Sequence, residues 1–263
     1  MMDKIETYSF AVEPFHVDFT GHLFMGVLGN HLLNAAGRHS HNRGWGIDQL
    51  NEHHYTWVLS RLSIELAEMP AQYERVEVET WVESVMKLFT ERNFLIRNAD
   101  DGRIYGYARS IWAMIDVETR HPADLLALND GDILRYVIDA DEKSCPIAKH
   151  GRVRVTSPEP TRTIATYYSD VDINGHINSI KYIEHILDLF PRSRFENHRI
   201  RRFEIAYKSE SYLDDVLSLY HDSPAQTPNG GLPTEDHVEI RKHVGNPQKP
   251  AGEVVVQAKL IWE

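Results

Sequence analysis

Val171-Asp172-Ile173-Asn174-Gly175-His176 decides the fold, because the chain carries this stretch twice: Val17-Asp18-Phe19-Thr20-Gly21-His22 stands 154 positions earlier. Moving outward, His31 matches His185 and Leu33 matches Leu187 at the same offset. Near the ends of the two halves, Ala108-Arg109-Ser110-Ile111-Trp112 matches Ala258-Lys259-Leu260-Ile261-Trp262, 150 positions apart. Between these anchors Ile96-Arg97 answers Ile240-Arg241, and Gly102 answers Gly252. The order of matches is preserved and the offset drifts only slightly. That pattern predicts a duplicated unit of somewhat more than about 100 residues.

Each copy reads as one helix followed by several strands. After His176, Ile177, Ile180, Ile183, Ile186, Leu187 and Phe190 recur at three- and four-residue spacing and make one apolar face, which Pro191 would stop. In the first copy the helix is expected from about Leu23 to Ala36, ending at Gly37. Val76, Val78, Thr80 and Val82 alternate with Glu77, Glu79 and Trp81, and residues 89–98 and 103–115 form a hairpin pattern across Asp100-Asp101-Gly102. Residues 254–262 alternate likewise. A helix packed on a curved antiparallel sheet is an α+β unit. The expected division is a first unit over 1–120, a proline-bearing connector over 121–160 and a second unit over 161–263.

Composition bounds the function. The formal net charge of −11 argues against general nucleic-acid binding, which needs a basic face. No apolar run approaches the roughly 20 residues of a membrane span. The N-terminus lacks a basic region followed by an apolar one, so no signal peptide is expected. The single cysteine, Cys145, cannot form an intramolecular disulfide and suits the cytoplasm. It is expected to be a surface thiol. His39, His41, His53 and His54 have no framing cysteine or acidic ligands and read as loop histidines, so no metal and no cofactor is expected.

Ser169-Asp170-Val171-Asp172-Ile173-Asn174-Gly175-His176-Ile177-Asn178 resembles the Asp-x-Asn-x-His-Val-Asn-Asn signature of the acyl-acyl carrier protein thioesterases of plants and bacteria, with Ile177 for valine and Ser179 for the last asparagine. Tyr207-Lys208-Ser209-Glu210-Ser211 is similar to that family's Tyr-Arg-Arg-Glu-Cys strand, with Ser211 where many members have cysteine. Residues 56–61 and 78–82 look like its N-terminal half. The resemblance implies two tandem hot-dog units, each a central helix wrapped by a curved antiparallel sheet. It also implies hydrolysis of fatty acyl groups from acyl carrier protein, with Glu210 as the catalytic glutamate and the first copy supplying the acyl pocket.

Thioester hydrolysis needs an activated water and a stabilised oxyanion. Asn174 could orient water or the carbonyl through its amide. His176 could serve as acid, base or donor, with Asp172 fixing its tautomer. Glu210 could activate water or attack directly. A helix N-terminus at this stretch would add free N–H groups. Asp172 and Asn174 are also common N-cap residues, so a purely structural reading stands beside the catalytic one. His22 reads as structural. Met25, Leu28, Trp57 and Leu59 are the expected pocket walls. Lys181, Arg192, Arg194, Arg199, Arg201 and Arg202 cluster near the site and would dock an acidic carrier protein. An acyl-CoA thioesterase, a hot-dog hydratase and a non-catalytic acyl-binding module are the alternatives. Monomer and homodimer both stay open.

Overall fold

The computed structural model describes residues 3–224, 232–243 and 252–263, in two compact units, Met1–Lys149 and His150–Glu263. The first unit runs β1 (Glu6–Ala11), α1 (Met25–His41), α2 (Ile47–Asn51), β2 (Tyr55–Leu66), β3 (Arg75–Val85), β4 (Phe89–Asn98) and β5 (Ile104–Asp116). Its strands lie antiparallel in the order β1-β3-β4-β5-β2. The second runs β6 (Arg162–Ala165), α3 (Ser179–Leu187), α4 (Arg192–Asn197), β7 (Ile200–Tyr207), β8 (Val216–Asp222), β9 (Glu235–Lys242) and β10 (Glu253–Trp262). Its order is β6-β8-β9-β10-β7. The two orders are the same when each strand is numbered within its own unit. The duplication read from the sequence is therefore a duplication of an α+β fold.

The helices bury one face each. On α1 these are Met25, Leu28, Leu32, Ala35 and Ala36; on α3, Ile180, Tyr182, Ile183 and Ile186. Helix α1 runs through Gly37 to His41, longer than its sequence signals predict: a side chain at Gly37 would meet nothing, and nothing there turns the backbone left-handed. His39 and His41 therefore lie on α1 rather than in a loop, and His39 is buried. In the second unit the helix stops at Leu187, earlier than expected. Pro191 is the N-cap of α4, a role its fixed φ suits, and Phe190 leaves the helix to pack edge-on against Trp262 at 5.2 Å.

The first sheet is covered on both faces. Val76, Val78, Thr80 and Val82 are buried, and so is Trp81, whose side chain points the other way. Ile138, Cys145 and Ile147 pack on Trp81. Ala123, Leu125 and Ile133 join Trp45, Leu50 and Met114 in a second cluster. Residues 121–149 thus belong to the first unit and contribute Ala123, Leu125, Ile133, Ile138, Cys145 and Ile147 to its core. Burying Trp81 is worth up to about 4 kcal/mol. Cys145, expected at the surface, is 8% exposed, because this segment presses it against the sheet. In the second unit, residues 151–157 play a polar version of the same part. The Gly151 N–H donates to Glu204, the Arg154 carbonyl faces His237 Nδ1 at 3.1 Å, and Thr156 binds Asp222. Among the described residues no helix is long and apolar enough to cross a membrane.

Candidate active site

The repeated hexapeptide folds the same way in both units. The Asp172 N–H donates to the His176 carbonyl (2.8 Å) and the Gly175 N–H to the Asp172 carbonyl (3.0 Å); Asp18, Gly21 and His22 repeat the pattern at 2.9 and 3.0 Å. Gly175 (φ +79°) and Gly21 (φ +77°) sit in the left-handed region, which is why glycine stands at both. The Asp172 Oδ1 accepts the N–H groups of Asn174 (2.8 Å) and His176 (3.2 Å). Asp172 is therefore the residue that shapes this loop, and the tautomer-fixing contact expected of it is replaced by bonds to main chain. Helix α3 begins only at Ser179, and its N-cap is Asn178, whose side chain accepts the Ile180 N–H at 2.9 Å. The helix does not begin at the hexapeptide, so the expected helix N-terminal N–H groups lie two or more residues beyond His176. The amides of residues 174, 175 and 176 are all spent on Asp172. Side-chain donors near the loop therefore take on more of the polar contact with a substrate than the hexapeptide's own amides do.

Those side chains converge where the loop meets the segment after β7. Ile177 donates its N–H to the Ser211 carbonyl at 2.8 Å, and His176 pairs with Tyr212 in an antiparallel bridge. This brings Glu210 Oε1 to 3.5 Å from His176 Nδ1, with both side chains about a quarter exposed, 24% for His176 and 30% for Glu210. The Tyr212 phenol donates to Glu210 Oε2 at 3.3 Å, and its ring stands edge-on to the His176 imidazole, 5.2 Å between centroids. Lys242 Nζ donates to the Glu210 main-chain carbonyl at 2.6 Å and lies 3.2 Å from Glu253. Asn174 is exposed at the loop tip, beside Ile173, which is 97% exposed. Ser211, at the cysteine position of the resemblance, is fully buried.

The first unit supplies an internal control. There Leu23 donates to the Pro70 carbonyl and His22 bridges Ala71, so Met69 occupies the place of Glu210 and Ala71 that of Tyr212. His22 Nδ1 meets the Thr20 hydroxyl at 3.1 Å instead of a carboxylate. Both units keep the loop; the second alone places a carboxylate beside its histidine. Tyr212 carries no motif signal. Aligning the copies through residues 69–71 would have exposed it, but the offset there is 141 rather than 154, because the first unit has a longer helix, α1 against α3, and a longer following strand, β2 against β7.

The other expected residues divide. Met25, Leu28 and Leu59 are core side chains. Trp57 alone of the four lines a first-unit cavity of about 200 Å³, with Trp45, Trp112, Ile133, Val82 and Arg92. Burial, and the nearby charge of Arg43, push the Arg92 guanidinium down to about 9. Arg194 and Arg202 are not surface cations. Arg194 is buried against Asp236, the Pro233 carbonyl and the Trp262 ring, and Arg202 is buried against Glu204, because the faces they point to are covered. Arg192 pairs with Glu196, Arg199 and Arg201 with Glu263, and Lys181 with Glu184.

Known proteins agree with this reading of the fold. The acyl-ACP thioesterase N-terminal domain family matches residues 4–127, and the acyl-ACP thioesterase C-terminal domain family matches residues 157–263. The chloroplastic dodecanoyl-[acyl-carrier-protein] hydrolase of Cinnamomum camphora is 27% identical over 262 residues, which cover 97% of this chain and 66% of that protein. Oleoyl-acyl carrier protein thioesterase 2 of Arabidopsis thaliana is 24% identical, covering 84% of this chain and 63% of the relative. The chain thus spans just under two thirds of the length of these curated relatives. Among solved structures, an acyl-ACP thioesterase from Bacteroides thetaiotaomicron is 54% identical with a TM-score of 0.87, covering 99% of this chain and 98% of that one. The 12:0-ACP thioesterase from Umbellularia californica, 20% identical, has the same fold at a TM-score of 0.83 over 99% and 94% of the two chains. With both domain families matched in order along the two hot-dog units, this chain belongs to the acyl-ACP thioesterase family.

Proposed function

We propose that this chain hydrolyses the thioester of fatty acyl-acyl carrier protein, releasing free fatty acid and the carrier's thiol. The observation that carries the proposal is the asymmetry between the units: the loop is duplicated, but the histidine–carboxylate pair exists in the second unit only. Glu210 and His176 act as one acid–base pair. Glu210 Oε1 draws the proton from an attacking water, directly or through the imidazole, and His176 Nε2 returns it to the departing sulfur. Water's oxygen bonds to the acyl carbon and the carbon–sulfur bond breaks. Asn174, with its amide at the exposed loop tip, is the donor assigned to the oxyanion. Tyr212 holds the Glu210 carboxylate and Lys242 holds its main-chain carbonyl, an arrangement that serves water activation and direct attack alike.

The first unit serves the acyl chain, with Trp57 at its cavity, and the second unit serves the chemistry. Docking of the acidic carrier falls to the exposed Arg192 and Arg199 together with the half-buried Lys181 and Arg201. The cytoplasm is the assigned compartment, supported by the single unpaired cysteine.

The test is thiol release from carrier protein loaded with acyl chains of different lengths, with the matching acyl-CoA esters alongside. Glu210→Ala and His176→Ala should each lower kcat by about 10²- to 10⁴-fold. Full activity in both variants would remove the site. Faster turnover of the CoA esters would move the substrate to acyl-CoA. Acyl binding without thiol release would make the chain a binding module.

A further inference from the structure

We infer that Tyr212 is a positioning residue for the acid–base pair, a role that rests on the hydrolase reading above. Three contacts place it there. Its phenol holds Glu210 Oε2 at 3.3 Å, which turns the other carboxylate oxygen, Oε1, toward His176 Nδ1 at 3.5 Å. Its ring stands edge-on to the imidazole, at 84° between planes, so the imidazole plane is braced by the same side chain that orients the carboxylate. Its backbone bridges His176, which fixes the distance between the two residues through the main chain. One residue thus touches both members of the pair by independent means.

The internal control supports a functional rather than a structural origin. The loop, the bridge and the bond closing the next turn are present in both units. The Ala71 N–H donates to Glu74 at 2.7 Å, as the Tyr212 N–H does to Asp215 at 2.8 Å. The backbone at this position needs no aromatic residue, since Ala71 makes the same bridge and the same turn. Tyr212 is also 47% exposed, which is a poor use of a large ring for core packing. What distinguishes the second unit is that the carboxylate and the phenol arrive together, Glu210 for Met69 and Tyr212 for Ala71.

The phenol bond restrains the Glu210 carboxylate without consuming the oxygen that faces the histidine. Without it, the carboxylate would hold its orientation toward His176 less firmly, and a smaller part of the population would be arranged for proton transfer. The loss should appear in turnover rather than in substrate binding.

The experiment uses the full chain and a medium-length acyl-carrier protein. Tyr212→Phe keeps the ring and deletes the hydroxyl. It should lower kcat about five- to tenfold with KM unchanged, the scale of one hydrogen bond to a charged group near the surface. Tyr212→Leu, which also removes the edge-on ring, should lower kcat further. In a Glu210→Gln background the effect of Tyr212→Phe on the residual rate should shrink to less than twofold, since the group it orients is gone. A Tyr212→Phe enzyme with wild-type kcat overturns the inference, as does a fall in kcat matched by an equal rise in KM. So does an undiminished effect in the Glu210→Gln background. A Glu210→Gln enzyme that keeps wild-type kcat defeats the hydrolase site itself, whatever Tyr212 does.

Discussion

Replacing Asp172 separates two jobs that a carboxylate beside a catalytic histidine can do. If it stabilised charge on the imidazole, Asp172→Asn and Asp172→Ala would be about equally harmful. The structure gives it a different job. A single oxygen, Oδ1, accepts both the Asn174 and His176 N–H groups, at 2.8 and 3.2 Å, and an asparagine side chain offers an oxygen at the same place. Asp172→Asn keeps both bonds and changes the acceptor from charged to neutral, a loss of about 1 kcal/mol, or roughly fivefold in the population of the folded loop. Asp172→Ala removes both. At about 1 to 1.5 kcal/mol each in this half-buried setting, it should cost 2 to 3 kcal/mol, roughly 30- to 150-fold. The assay is steady-state thiol release for wild type and both variants, with thermal unfolding measured in parallel. Asp18→Ala removes the corresponding carboxylate in the first unit, where Asp18 binds the Thr20 N–H and hydroxyl, and should leave kcat nearly unchanged. An Asp172→Asn enzyme as inactive as Asp172→Ala would refute the loop-building role.

Two further predictions concern charge. Burial would raise the Asp236 carboxyl, but bonds from His221, Ser223 and Trp262 outweigh it and hold the group below its ordinary value. Its contribution to stability is therefore complete above the unfolded carboxylate value of about 3.9 and is lost as pH falls through the lower folded value. Asp236→Asn should cost about 3 kcal/mol at pH 7, since it leaves Arg194 buried beside a neutral group. In denaturant titrations the gap from wild type should narrow as the pH is taken below about 4; a gap that widens would contradict the sign. For docking, Arg199→Glu with Arg201→Glu should raise KM for acyl-carrier protein several-fold and leave an acyl-pantetheine unaffected; equal losses on both substrates would end the docking reading. Arg202 is unsuitable for this test, because changing it would break its buried pair with Glu204.

The repeat made most of the fold legible. Once 17–22 and 171–176 are set side by side, the helix and hairpin patterns that follow them need only local rules, and the hairpin across Gly102 forms where its turn residues stand. Legibility failed where a residue's role depends on what covers it. Arg202 and Glu204 lie two apart on β7 and so share a face, but residues 151–157 crossing that face leave no trace in the strand's own pattern. Trp81 reads as the outward member of an alternating strand for the same reason. In the site, His176 and Glu210 were readable from the resemblance, whereas the division of labour between Asp172, which builds the loop, and Asn178, which caps the helix, depends on which N–H each oxygen meets. Two aspartate- or asparagine-type caps a few residues apart look alike in sequence.

The packing of residues 138–147 on Trp81 places the chain's sole thiol where it can serve as a clock. Cys145 is 8% exposed, its Sγ faces the Ala108 carbonyl at 3.8 Å, and burial pushes the thiol's pKa up, so it meets a reagent neither as thiolate nor at the surface. It reacts only when that segment lifts from the sheet. The ratio of its labelling rate to that of a free thiol then reads the opening equilibrium of the first unit's outer layer in the unmodified protein. A bound acyl group that tightens the first unit should slow the clock, so occupancy of one unit becomes measurable from a cysteine that takes no part in the chemistry.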